Sequence, residues 1–110
     1  MKFYQAKKVV IITEAYILDN IIQAIKKHGV SGYTVTGATG KGERGLRLGN
    51  GVSSLYKNVK IEVITSAEVA EKVVVEVVDN FFVNYAGIIY LEDVEVVQAK
   101  KVQLPEELPE

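Results

Sequence analysis

The apolar residues of this chain change their spacing in a definite order, and that order leaves few folds open. Lys7–Thr13 (KKVVIIT) is a short run dominated by β-branched residues, the pattern of a buried strand. Thr13 then offers a helix cap, and Glu14 falls in the first turn, where the helix dipole favours an anion. Ile17, Leu18, Ile21, Ile22 and Ile25 follow on one helical stripe. Lys26, Lys27 and His28 fill a last turn before Gly29, so the spacing predicts a helix over about 14–28. Tyr33–Thr39 (YTVTGAT) alternates as a second strand does. Asn58–Thr65 (NVKIEVIT) alternates as a third, with Val59, Ile61 and Val63 on one face and Lys60, Glu62 and Ile64 on the other.

A second helix is expected next. Thr65-Ser66-Ala67-Glu68 fits the T-x-x-E capping box, and residues 68–82 carry apolar side chains at helical spacing. Five valines at 73–75, 77 and 78 favour strand by propensity, but the 3.6-residue period is the stronger signal. Gly87–Val97 (GIIYLEDVEVV) reads as the fourth strand, with a bend expected near Asp93. The order β-α-β-β-α-β is that of the ferredoxin-like α+β fold: a four-stranded antiparallel sheet with two helices on one face. Val59, Ile61 and Val63 mark one apolar face and Ile64 adds to the opposite one. A sheet apolar on both faces needs a second cover, so a homo-oligomer is expected.

Composition narrows the function classes. The chain has 110 residues, one domain by length, expected over 1–101 with a poorly ordered acidic tail at 102–110 (VQLPEELPE). It has no Cys and one His, which removes thiol chemistry, cysteine-zinc sites and His-rich metal sites. No run approaches the roughly 20 apolar residues of a membrane helix, and no signal peptide is read at the N-terminus, so a cytoplasmic domain is expected. Residues 1–60 carry ten Lys/Arg against three Asp/Glu, and residues 61–110 carry three against eleven. The net charge of −1 argues against nucleic acid as a partner. The charge split suits either complementary subunit surfaces or plain solvated faces.

The feature that could carry chemistry is the segment Gly40–Lys57. Eight of the nine glycines lie between Gly29 and Gly51, and both arginines, Arg44 and Arg47, sit in that window beside Lys41. Glycines let backbone N–H groups approach an anion, and arginines add planar charge-assisted hydrogen bonds suited to phosphate. The plain alternative is a soluble hairpin loop. The G-x-G-x-x-G of Gly40–Gly45 is not a dinucleotide fingerprint, because no helical stripe follows it. Nor is Gly40-Lys41 a Walker A loop, because Gly42 stands where Ser or Thr is required.

Candidates for catalysis are few. Glu92 and Asp93 are adjacent on a strand and point to opposite faces. Ser53 and Ser54 have no nearby base in sequence, and His28 reads as a surface residue compensating a helix dipole. Phe81, Phe82, Tyr85 and Tyr90 read as core or subunit-contact residues, and only Tyr33 is offered on the strands that RNA-binding versions of this fold use.

Taken together, GVSGYTVTGATGKGERG, LYKNVKIEVIT and FFVNYAGIIYLEDVEVV resemble the PII signal-transduction superfamily over about residues 6–100. Ser31-Gly32-Tyr33-Thr34-Val35 running into Gly40-Lys41-Gly42-Glu43-Arg44 is similar to the PII-like carbon-regulatory, SbtB-like branch. The resemblance implies a trimer with an adenine nucleotide (AMP, cyclic AMP, ADP or ATP) in clefts between subunits. It implies a long T-loop that contacts a partner, a membrane transporter such as a bicarbonate transporter, with recruitment to the inner membrane. It implies a regulatory protein rather than an enzyme, with no metal; a slow nucleotide phosphohydrolase and a nitrogen-regulatory PII protein are the alternatives. Carried over, Thr34, Gly40, Lys41 and Gly42 would line the cleft at the loop base, Arg44 and Arg47 would grip phosphate, Ile64 would flank the adenine, and Gly87 would come from a neighbouring wall. The Gly-Asp-Gly-Lys segment of nitrogen-regulatory members is replaced here by Tyr85-Ala86-Gly87-Ile88-Ile89. The C-terminal cysteine pair of some SbtB-like proteins is missing.

Overall fold

The computed structural model describes residues 2–30, 32–42, 45–47 and 57–97, with the backbone alone at 40–42 and 45–47. Six strands and two helices follow in the order β1 (Tyr4–Glu14), α1 (Leu18–Lys27), β2 (Thr34–Ala38), β3 (Gly40–Gly42), β4 (Gly45–Arg47), β5 (Asn58–Thr65), α2 (Ala67–Asn80) and β6 (Gly87–Val96). The main sheet has the strand order β2-β5-β1-β6 with every pairing antiparallel, which is the ferredoxin-like arrangement the periodicity predicts.

Alternation along the two central strands decides which residues meet the helices. Val9 and Ile11 of β1 and Val59, Ile61 and Val63 of β5 share one face. They form a single buried cluster with Ile21, Ile22 and Ile25 of α1 and Ala70, Val73 and Val77 of α2. Burying each such side chain contributes about 1.5–3 kcal/mol, so this shared layer holds both helices on one side of the sheet. Val73 and Val77 are buried one helical turn apart, and that packing overrides the weak helix propensity of the valine run.

Several boundaries differ from the sequence reading, each for a tertiary reason. Thr13 does not cap a helix. β1 runs on to Glu14, a 3₁₀ turn covers Ala15–Ile17, and the α-helix begins only at Leu18. The second cap belongs to Ser66, whose hydroxyl accepts the Val69 N–H at 3.2 Å. Thr65 is still a strand residue, paired with Lys7, and its hydroxyl is buried without a partner among the described residues. Gly29 sits after the end of α1 at φ 94°, the left-handed conformation that suits glycine there. The segment after β2 opens with a second ladder: β3 and β4 pair, Gly40 opposite Arg47 and Gly42 opposite Gly45. β6 keeps a one-to-one register with β1 from Gly87–Thr13 to Val96–Tyr4, with Asp93 opposite Lys7. The tail at 102–110 lies outside the described residues.

Candidate functional site

Among the described residues the second face of the sheet has no helix over it. It is built from Lys8, Val10 and Ile12 of β1, Thr34 and Thr36 of β2, Lys60, Glu62 and Ile64 of β5, and Ile88, Tyr90 and Glu92 of β6. Val10 at its centre is fully buried, flanked in register by Glu62 and Tyr90. Toward the β6 edge the apolar surface opens: Ile88 is 56% exposed and Tyr90 40%. An ion-pair network crosses the same face. Lys8 Nζ lies 2.8 Å from Glu62 Oε2 and 3.8 Å from Glu92 Oε1, and Lys60 Nζ lies 4.0 Å from Glu62. The hydrogen bond from Lys8 holds the Glu62 carboxyl below its ordinary range, and the same bond raises Lys8. A carboxylate held charged in this way is a poor proton acceptor near neutral pH.

The sequence-derived site residues fall into three groups on this frame. Thr34 and Ile64 are neighbours: Thr34 pairs with Glu62, and Ile64 follows two residues along β5 on the same open face. Gly40, Lys41, Gly42 and Arg47 belong to the β3–β4 ladder, so the glycine-rich backbone and one arginine position share one short hairpin. Arg44 lies outside the described residues. Thr34 opens β2 while the hairpin follows its end, which separates them along the strand by about 13 Å at the usual rise. Gly87 stands apart. It begins β6, in one row of pairs with Thr13, Val59 and Gly37, but on the opposite edge of the sheet. Three strand spacings put it about 14 Å from the β2 edge. The loop base and Gly87 thus stand at the same end of the sheet, on its opposite edges.

Gly87 is also sterically required. A Cβ there would lie 2.5 Å from Phe82 Cε1 and 2.9 Å from the Ile12 carbonyl oxygen. The Phe82 ring therefore packs against the bare glycine backbone. Phe81 and Tyr85 pack on the core beside it, while Tyr16, 84% exposed, faces Tyr85 with ring centroids 6.2 Å apart.

Three arrangements had no local signal in the sequence. His28 is not merely a dipole-compensating surface residue: its Nε2 lies 2.6 Å from Glu76 Oε1, and Lys27 Nζ is 2.9 Å from the other Glu76 oxygen. Glu76 is thereby held below the ordinary carboxylate range, chiefly by the Lys27 hydrogen bond, and ties α2 to the end of α1. Lys8 joins Glu62 and Glu92 only because their strands are adjacent. Thr13 and Glu14 both bond to Ala86, more than seventy residues away. Among the described residues no group of His, Asp or Glu side chains is arranged to hold a metal ion, and no helix is long and apolar enough to cross a membrane.

The fold has counterparts among known proteins. Residues 6–101 match the model of the family described as nitrogen regulatory protein P-II. A Thermus thermophilus protein described as PII-like and signalling is 34% identical, with 93% of this chain and 99% of that chain covered, at a TM-score of 0.79. CPII from Thiomonas intermedia K12, solved with ADP and bicarbonate bound, is 26% identical, with 91% and 96% of the two chains covered, at a TM-score of 0.82. A further CPII structure, with ADP, AMP and bicarbonate, is similar to the same degree, covering 91% of this chain and 95% of that one.

Proposed function

This chain belongs to the P-II family, and on that premise we propose that it is a PII-like signalling protein that senses an adenine nucleotide as a homotrimer. The observation that carries the reading is the likeness over most of both chains to CPII bound to ADP and bicarbonate. The geometry supports it independently. The loop base and Gly87 are offered at one end of the sheet, on its opposite edges, within the span of one extended nucleotide. The open face, with exposed Ile88 and Tyr90 on β6 and half-buried Ile64 on β5, supplies the apolar surface such an assembly would cover.

In this reading Gly40, Lys41, Gly42, Arg44 and Arg47 hold the phosphates, through backbone N–H groups and guanidinium groups. Thr34 lines the cleft, Ile64 flanks the adenine, and Gly87 comes from a neighbouring wall. Ordering about ten loop residues costs on the order of 10–20 kcal/mol of backbone entropy. Only a multiply charged ligand with many donors around it offsets much of that. The loop then changes state with the nucleotide, and a partner that prefers one state is coupled to it. The partner in this reading is a membrane transporter, with bicarbonate transport the first candidate, reached from the cytoplasm. The protein regulates and does no chemistry of its own.

Calorimetric titration of wild type and Arg44→Ala with AMP, cyclic AMP, ADP and ATP, with and without bicarbonate, tests this. The expected result is at least tenfold weaker binding in the variant. Equal affinity removes Arg44 from the site, and steady phosphate release that depends on Arg44 would favour a hydrolase instead.

A further inference from the structure

The end of β1 grips two other parts of the chain at once. The Thr13 hydroxyl donates to the Ala86 carbonyl at 2.7 Å, and the Ala86 N–H donates to a Glu14 carboxylate oxygen at 2.7 Å. The next residue, Ala15, donates its N–H to the Lys57 carbonyl at 2.7 Å. Both peptide groups of Ala86 are thus held by consecutive residues of one strand, through bonds of opposite polarity. Such a pair fixes the orientation of a backbone segment as well as its position. Thr13 is 2% exposed, so its bond is made away from water, where leaving the carbonyl unpaired is costly. On the other side of the segment the Phe82 ring closes against Gly87. Lys57 is the residue at which the glycine-rich segment meets β5.

We propose that Thr13 and Glu14 are positioning residues for the nucleotide cleft, holding the Ala86–Gly87 backbone where that cleft needs its second wall. The inference rests on the adenine-nucleotide reading above. Glu14 does not act as a phosphate ligand: a carboxylate repels an anion, and its hydrogen bond takes the Ala86 N–H away from any ligand. What it gives Ala86 is an acceptor oxygen. This separates position from electrostatics, because glutamine keeps an acceptor oxygen and loses the charge, whereas alanine loses both.

The test joins ADP titration with backbone amide exchange at Ala86, measured without nucleotide, on full-length wild type, Glu14→Ala and Glu14→Gln. In Glu14→Ala, exchange at Ala86 accelerates at least tenfold and ADP binds at least fivefold more weakly. Glu14→Gln returns both to within twofold of wild type. If Glu14→Ala does not fold, Thr13→Val serves in its place, with a threefold loss of ADP affinity that Thr13→Ser recovers. Faster exchange with unchanged affinity makes the clamp purely structural and overturns the proposal. Glutamine behaving like alanine assigns the effect to charge and overturns it equally. A wild type that binds no adenine nucleotide defeats the functional reading itself and this inference with it, a failure visible before any variant is made.

Discussion

The two faces of the main sheet are made by alternate residues of the same strands, yet they are finished differently. On the helix side Val9, Ile11, Ile61 and Val63 are all 0–1% exposed, and the apolar layer is complete within one chain. On the other side Ile12 and Ile64 stay half-buried, Ile88 and Tyr90 are exposed, and Lys8, Glu62, Glu92 and Lys60 run through the middle as ion pairs. The helix face therefore carries folding, where uniform burial counts. The open face fits recognition, where apolar area supplies affinity and fixed charges set register.

The largest expected effect breaks this comparison along its length. Ile11→Ala removes a fully buried side chain and should cost about 2–5 kcal/mol of unfolding free energy, lowering the melting temperature by several degrees per kcal/mol. Ile88→Ala, on the open side, should cost about 0.5 kcal/mol or less in dilute, dissociated protein, yet weaken self-association. Chemical denaturation of both variants, paired with sedimentation at two concentrations, checks this. Equal destabilisation by the two would mean that the faces do not divide the work.

A smaller effect distinguishes the two carboxylates by pH. Glu76 and Glu62 are both held below their ordinary value of 4.5, by Lys27 and Lys8 respectively. A lowered folded-state pKa gives stability that is present above the ordinary value and lost as pH falls through the lowered one. Thermal melts should therefore fall off below about pH 4.5, a loss that an unperturbed carboxylate would not give. Glu76→Gln should flatten that acid limb in monomer and oligomer alike, because its partners lie within the chain. Glu62→Gln should flatten it further once the open face is covered, because burial strengthens the pair it belongs to. Lys8 acts in the opposite direction: its raised pKa adds stability that is lost only as pH climbs past its ordinary 10.5.

The same contrast marks what the sequence could reveal. The strand and helix periods were legible because Ile17, Ile21 and Ile25, or Val59, Ile61 and Val63, state their own partners by spacing alone. Even the valine-rich α2 was legible, since Ala70, Val73 and Val77 keep the helical period against their propensity. Thr13 and Glu14 misled, because a threonine followed by a glutamate is good cap chemistry, and the group they bind, Ala86, is distant in the chain. The adjacent pair Thr65 and Ser66 shows the same limit. Both suit a cap, and only the pairing of Thr65 with Lys7 leaves the role to Ser66. The proposed site rests on a composition of glycines and arginines. Its division between opposite edges of the sheet was not legible, because strand order is a tertiary fact.

The proposed nucleotide site between copies of the chain is the centre of the account, and native mass spectrometry of the purified protein with and without ADP tests it most directly. The account predicts a species of three chain masses that takes up nucleotide, with no nucleotide on any single chain. A single chain that binds ADP by itself, or a trimer that never does, would contradict it.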